Sequence, residues 1–177
     1  MFLDIGAYFG LYALLMDRSM LFDRVVAFEP DERNARQLAA NLFLNAGSRI
    51  EVRHEAVSDR SGRTWFTQSE SHPTGNRAGI SMADGPGSTR REVPMVAIDD
   101  AFDFEGWTII AKIDVEGEEH AVLHGMRRTL ARNRAVLQVE AFEHNLVSIR
   151  AARDELGLRT VGEIYPDVYL TNIPEPI

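Results

Sequence analysis

Short apolar runs alternating with stretches of helical period constrain the fold of this chain more than any other feature. Phe2–Ile5 is an apolar run broken by one acid and ended by Gly6, which predicts a buried strand entering a tight turn. Residues 11–18 then read as a helix. Residues 24–28 form a second buried run, stopped at Glu29-Pro30 because proline lacks the N–H that a central strand needs. Residues 31–46 predict an amphipathic helix, with Ala35, Leu38, Ala39 and Leu42 at helical spacing and Gly47 as its stop. Further strands are expected at 50–54, Thr108–Ile113 and 135–139. Further helices are expected at 118–132, with Val122, Leu123, Met126 and Leu130 on one face, and at 143–156, closed by Gly157. The last two strands, 159–163 and 168–171, are joined by Tyr165-Pro166-Asp167. That link is too short for a crossover helix, so the two should pair antiparallel at an edge.

This alternation predicts an α/β fold: a mostly parallel sheet with helices on both faces, ending in an antiparallel C-terminal edge pair. With 177 residues the chain has the length of one domain, and residues 1–177 are expected to form it. Met1 and Phe2 lead directly into a core strand, the pattern expected of a chain trimmed on its N-terminal side. Residues 69–92 are rich in Ser, Gly, Pro and Arg without an apolar period. They predict a long irregular loop inside the domain, either functional or plain surface.

The charge balance narrows the partners. Nineteen Lys+Arg against 27 Asp+Glu give a net charge of -8, which disfavours nucleic acid as a partner, because neutralising phosphates needs clustered cations. A small hydroxylated molecule fits better. The absence of cysteine excludes disulfides, thiolate zinc sites and a cysteine nucleophile, and suits a cytoplasmic location. The apolar run at 11–16 is too short to span a bilayer and no basic segment precedes it, so neither membrane insertion nor export is expected.

The turn after the first strand carries the most chemistry. Asp4-Ile5-Gly6-Ala7-Tyr8-Phe9-Gly10 sets two glycines four apart, where a missing Cβ lets the backbone approach a ligand and the following helix offers free N–H groups. It is not the G-x-G-x-x-G turn of dinucleotide binders, since Tyr8 stands where the middle glycine makes room for a pyrophosphate. A ligand without a diphosphate suits it, such as the methionine part of S-adenosylmethionine. Glu29 closes the second strand 19 residues after Gly10, where an acid hydrogen-bonds ribose hydroxyls in nucleoside-binding α/β proteins. The bland alternative is an exposed acid favoured by the dipole of the next helix.

These residues resemble the FkbM-type methyltransferases. The likeness runs through Asp4-Ile5-Gly6-Ala7, Gly10-Leu11-Tyr12, Ala27-Phe28-Glu29-Pro30, the stretch from Asn41 to Asn45, and Ala56-Val57-Ser58-Asp59. Its most specific pieces are Lys112-Ile113-Asp114-Val115-Glu116-Gly117-Glu118-Glu119 and Val122-Leu123-His124-Gly125. Tyr8-Phe9 depart from the family's usual small polar residue followed by an apolar one. The resemblance implies a Rossmann-like class I methyltransferase fold, S-adenosylmethionine as cofactor, and methyl transfer to a hydroxyl of a sugar, polyketide or other small molecule. The cofactor residues it implies are Asp4, Gly6, Ala7, Gly10, Glu29, Pro30, Ala56 and Asp114. A rival expectation is a non-catalytic nucleoside- or partner-binding domain of the same fold.

Chemistry should gather at the carboxyl ends of the strands, where Asp4, Glu29, Asp114 and Glu140 fall. Methylating a hydroxyl requires removal of its proton as the new bond forms. Asp114 and Glu116 flank Val115, so strand alternation would turn both carboxylates to one side, for acceptor binding or general-base work. Glu118 and Glu119 read as acids at a helix start. His144, after Glu140 and Glu143, is a residue type that can serve as a base and is a third catalytic candidate, against the bland reading of a solvated His at a helix start. Lys112 is positioned to pair with one of the acids. Asp114, Glu116 and Glu140 are oxygen donors of the kind a divalent metal takes, but no spacing is diagnostic and no metal is assigned. In the long loop, the stretch from Gly75 to Ser81 resembles a polar segment of the family near the acceptor, and His72, Arg77, Arg90 and Arg91 are charges that could steer a substrate.

Overall fold

A computed structural model describes residues 1–45, 49–69, 77–78 and 88–175. Gly47, His72 and most of the segment from Gly75 to Ser81 lie outside them. The first half alternates as expected: β1 (Phe2–Ile5), α1 (Leu11–Ser19), β2 (Val25–Phe28), α2 (Glu32–Leu44) and β3 (Glu51–Arg53). Then come β4 (Ala56–Val57), β5 (Gly62–Ser69), β6 (Arg77–Ala78), β7 (Ser88–Val96) and a short α3 (Ile98–Ala101). The chain continues through β8 (Thr108–Ile113), α4 (Glu119–His124), α5 (Arg127–Arg132), β9 (Arg134–Glu140), α6 (Leu146–Glu155), β10 (Arg159–Ile164) and β11 (Asp167–Thr171).

Seven strands form the main sheet in the order β10-β11-β9-β8-β1-β2-β3. β1 pairs parallel with both β2 and β8, and β8 pairs parallel with β9. β11 runs antiparallel between β9 and β10, giving the expected C-terminal edge pair. The strand order therefore reverses beside β1, between the half built outward to β3 and the half that returns through β8, and ligands of open α/β sheets bind at such a point. Alternation along β1 and β2 sends Leu3, Ile5, Val26 and Phe28 into one apolar cluster and Phe2, Val25 and Ala27, with Leu38 of α2, into another. Both faces of the sheet are covered.

Local chemistry sets the helix ends. Asp31 caps α2, accepting from the backbone N–H of Arg33 at 2.8 Å and of Asn34 at 2.9 Å. The expected helix at 118–132 is instead two helices. A Cβ on Gly125 would lie 2.0 Å from the Ser58 carbonyl oxygen, and Asp99 caps the second piece through the N–H groups of Arg128 and Thr129, both at 2.7 Å. The helix expected from residue 143 begins at Leu146, leaving Glu143 and His144 in the turn before it.

The expected irregular loop at 69–92 is corrected in part. β5 and β7 form a long antiparallel hairpin, paired from Gly62↔Met95 to Ser69↔Ser88, so residues 88–92 are strand. With β4 and β6 they make a second, four-stranded sheet whose small core is Ala56, Phe66, Val93 and Met95. Its outer face is polar, with Arg63 paired to Glu92 at 2.7 Å and Arg90 lying over Trp65. Among the described residues no helix is long and apolar enough to cross a membrane.

Candidate functional site

A cavity of about 390 Å³ opens at the carboxyl ends of β1, β2, β8 and β9, within the usual range for small-molecule sites. One part of its wall is apolar, from Phe28, Ala56, Val57 and Phe66; the other is acidic, from Asp114, Glu116, Glu118 and Glu140. Gly6 and Glu29 lie on the wall as well.

The glycine turn is held by backbone bonds: the N–H groups of Gly6 and Ala7 both donate to the Phe28 carbonyl, at 3.1 and 2.9 Å. Gly6 has φ of 82°, and a Cβ there would sit 1.8 Å from the Asp114 carbonyl oxygen, so only glycine lets β1 and β8 converge at the cavity. Tyr8 also takes a positive φ, 51°, and its N–H donates to Glu29 Oε2 at 2.8 Å. The other carboxylate oxygen of Glu29 accepts from the Asp31 N–H at 2.8 Å. Glu29 is thus a buried carboxylate, 5% exposed, fixed by two backbone donors with the Asn34 side chain as a third partner. Burial is the main cause that pushes its carboxyl up to about 7, against the lowering effect of those two bonds and of one from the Asn34 side chain.

Of the sequence-derived cofactor residues, Gly6, Glu29, Pro30, Ala56 and Asp114 line the cavity. Asp4, Ala7 and Gly10 are absent from that lining. Asp4 lies beneath the turn, 1% exposed, with Oδ2 accepting from the Ala13 N–H of α1 at 2.9 Å, and burial raises it to about 6. Its Oδ1 is buried without a hydrogen-bond partner among the described residues. Gly10 precedes α1 and approaches Leu38.

At the acidic end, Asp114 and Glu116 both reach the cavity, but not through strand alternation. β8 ends at Ile113, and Glu116 turns with φ of 60°. Lys112 pairs with Asp114, Nζ to Oδ2 at 2.6 Å. Glu140 is raised to about 8, first by burial, then by the charge of Asp114 and a side-chain hydrogen bond with it, then by Glu116 and Glu119. His144 is not on the cavity wall. Its ring stacks on Phe142, with Nε2 3.5 Å from where a Cβ on Gly117 would be. Arg91 pairs with Glu32 of α2, and Arg90 lies over Trp65 on the hairpin. Among the described residues no group of three or more His, Asp or Glu is arranged to hold a metal ion.

Glu119, expected to act at a helix start, has a larger part. It is fully buried, and Oε1 accepts from the N–H groups of Val115 at 3.1 Å and Gly117 at 3.0 Å, while Oε2 accepts from Asn145 Nδ2 at 2.7 Å. It ties the Asp114–Gly117 turn to the start of α6. Nothing in the sequence separates it from Glu118. Glu140 lines the cavity from the strand end expected of it, whereas Phe66 is a wall residue that the sequence does not single out.

Residues 4–160 match the family model described as Methyltransferase FkbM domain. No curated protein matches the chain. Among solved structures, the methyltransferase FkbM from Methylobacillus flagellatus KT superposes with a TM-score of 0.62 at 23% identity, over 96% of this chain and 42% of that one. The chain therefore spans well under half the length of that protein. Precorrin-6y C5,15-methyltransferase from Geobacter metallireducens GS-15 gives 0.55 at 14% identity, over 96% and 77% of the two chains. Magnesium protoporphyrin IX methyltransferase from Synechocystis PCC 6803, with S-adenosylmethionine bound, gives 0.50 at 12% identity, over 97% and 68%. At these identities the likeness shows a shared fold.

Proposed function

Because this chain belongs to the FkbM methyltransferase family, we propose that it binds S-adenosylmethionine and transfers its methyl group to a hydroxyl oxygen of a sugar, polyketide or other small molecule. The observation that carries this reading is Glu29, a buried carboxylate at the end of β2 on the cavity wall, bonded by its two oxygens to the Tyr8 and Asp31 N–H groups. Its remaining acceptor capacity suits a ribose hydroxyl. The magnesium protoporphyrin methyltransferase, with the same fold, has the cofactor bound, which supports the same assignment here.

The residues present fit the cofactor. Gly6 brings the backbone close where a side chain would clash, and Ala7 and Gly10 shape the same turn. Pro30, Ala56, Val57 and Phe66 give an apolar slot for a flat base, and Asp114 offers a carboxylate to an ammonium group. Asp4 acts from below by fixing the start of α1. When bound, the cofactor supplies an electrophilic methyl group on a sulfonium centre. The chain must then seat the acceptor hydroxyl and take its proton, and Asp114 and Glu116 at the acidic end are suited to holding the acceptor there. His144 supports the turn at Gly117 from outside the cavity.

Calorimetric titration of the purified chain with S-adenosylhomocysteine, with NADH as control, tests the reading. Micromolar binding of the first alone is expected, followed by transfer of tritiated methyl to a panel of methyl glycosides and hydroxylated lactones. Binding of NADH, or of neither ligand, would overturn it. Binding without transfer to any hydroxyl would favour a non-catalytic domain of the same fold.

A further inference from the structure

Resting on the methyltransferase reading, we propose that Glu140 is the general base of this site, its carboxylate taking the proton of the acceptor hydroxyl while Asp114 holds it in place. The parallel register Ile113↔Val139 sets Asp114 and Glu140 abreast, just past β8 and at the end of β9, and both line the cavity. Their carboxyl groups are near enough to share a hydrogen bond once one of them takes up a proton. Lys112 Nζ, 2.6 Å from Asp114 Oδ2, engages Asp114, so Glu140 is the carboxyl of the two left to take the acceptor's proton.

The surroundings make Glu140 a stronger base than an ordinary carboxylate. Burial and the negative charges of Asp114, Glu116 and Glu119 raise it to about 8, near the value at which a base is most effective at neutral pH. Asp114 is tied to Lys112 instead. From β11, Asp167 stands opposite Glu140 in register, with Oδ2 bonded to Gln138 Nε2 at 3.0 Å. From α6, Asn145 Nδ2 donates to the Glu140 carbonyl at 3.3 Å and to Glu119 Oε2. Through Asn145, Glu119 links the Asp114 turn to the end of β9 and fixes the separation of the two carboxyls.

In the transfer, the acceptor's oxygen forms its bond to the methyl carbon as the methyl–sulfur bond breaks, the electron pair of that bond staying on sulfur. The hydroxyl proton passes to Glu140. Asp114 then accepts a hydrogen bond from the protonated carboxyl, which stabilises the product of proton transfer. The proton leaves Glu140 to solvent before the next turnover, so one proton is released per methyl transferred.

The test combines a titration with kinetics. Carbon-13 NMR of the labelled full chain, saturated with S-adenosylhomocysteine, should show the Glu140 carboxyl titrating near 8 and falling toward the ordinary carboxylate range in Asp114→Asn. With tritiated S-adenosylmethionine and the hydroxyl panel above, the wild-type rate should rise with pH up to about 8. Glu140→Gln should lose about 100-fold or more in turnover, with S-adenosylhomocysteine affinity kept within about twofold. Glu140→Asp, a second variant in case the first fails to fold, should keep a partial rate and the rising limb. A Glu140 carboxyl that titrates as an ordinary one, or a Glu140→Gln variant with the wild-type rate, overturns the proposal while leaving the methyltransferase reading intact. Loss of S-adenosylhomocysteine binding by the wild type would strike that reading instead.

Discussion

Glu29 couples recognition to pH, because its two oxygens are already bonded to backbone N–H groups and its burial holds the carboxyl near 7. A ribose hydroxyl donating to it favours the charged form, so binding should lower its pKa, and by linkage affinity should rise with pH through about 7. Calorimetry with S-adenosylhomocysteine from about pH 6 to about pH 8 should show that rise in the wild type and a flat response in Glu29→Gln. Glu29→Ala should weaken binding by roughly 1–3 kcal/mol, about 5- to 150-fold, as a buried hydrogen-bond partner is lost. Unchanged affinity in a folded Glu29→Ala protein would remove the ribose role. At this scale the sequence was informative where a residue's place follows from its own strand: Gly6 and Glu29 could be located because each ends a strand. Glu140 was legible in the same way, but Glu119 was not, because its bonds depend on Asn145, which lies more than twenty residues away in the chain. Asp4 shows the opposite case, a strand-end acid whose alternation turns it under α1 instead of onto the cavity wall.

Elements whose periodicity arises from burial on both faces were legible, and β1 and β8 run over the expected residues. The hairpin β5–β7 was not, because one face is covered only by a small core of four residues and the other carries charges such as Arg63, Arg90 and Glu92, which erase the apolar alternation. The α4–α5 break was also hidden, since Val122, Leu123, Met126 and Leu130 keep helical spacing across it. What interrupts the helix is the close approach of the Ser58 carbonyl to Gly125, a contact from another element. This gives a prediction whose sign is informative. In a free helix Gly→Ala would stabilise by about 1 kcal/mol, and the backbone of Gly125, at φ of -70°, would accept alanine. The added Cβ at 2.0 Å from a backbone oxygen should reverse that sign. Gly125→Ala should destabilise by about 1–3 kcal/mol, lowering the melting temperature by roughly 2–12 °C. A thermal melt followed by circular dichroism checks it, and a raised melting temperature would mean that the helix does not need its break.

Across the whole molecule, the site carries a cost in stability that depends on pH. Asp4, Glu29 and Glu140 are raised from ordinary carboxylate values to about 6, 7 and 8. Burial is the first cause in each case. A raised carboxyl binds its proton more tightly in the folded chain than in the unfolded one. Its contribution to stability is therefore fully present below the unfolded values of 3.8 and 4.5 and is lost as pH climbs through the folded ones. The net charge of -8 acts in the same direction, because self-repulsion grows as the chain moves above its isoelectric point near 5.1. Denaturant unfolding should thus show the free chain losing stability steadily from about pH 5.5 to about pH 8.5, by an amount on the order of a few kcal/mol. Saturating S-adenosylhomocysteine should flatten the part of that slope near 7, since hydrogen bonds to a charged Glu29 offset what burial costs it. A profile that is level, or that rises toward pH 8, would show that the three carboxyls titrate normally, and the pH dependence argued for cofactor binding and for proton transfer would fall with it.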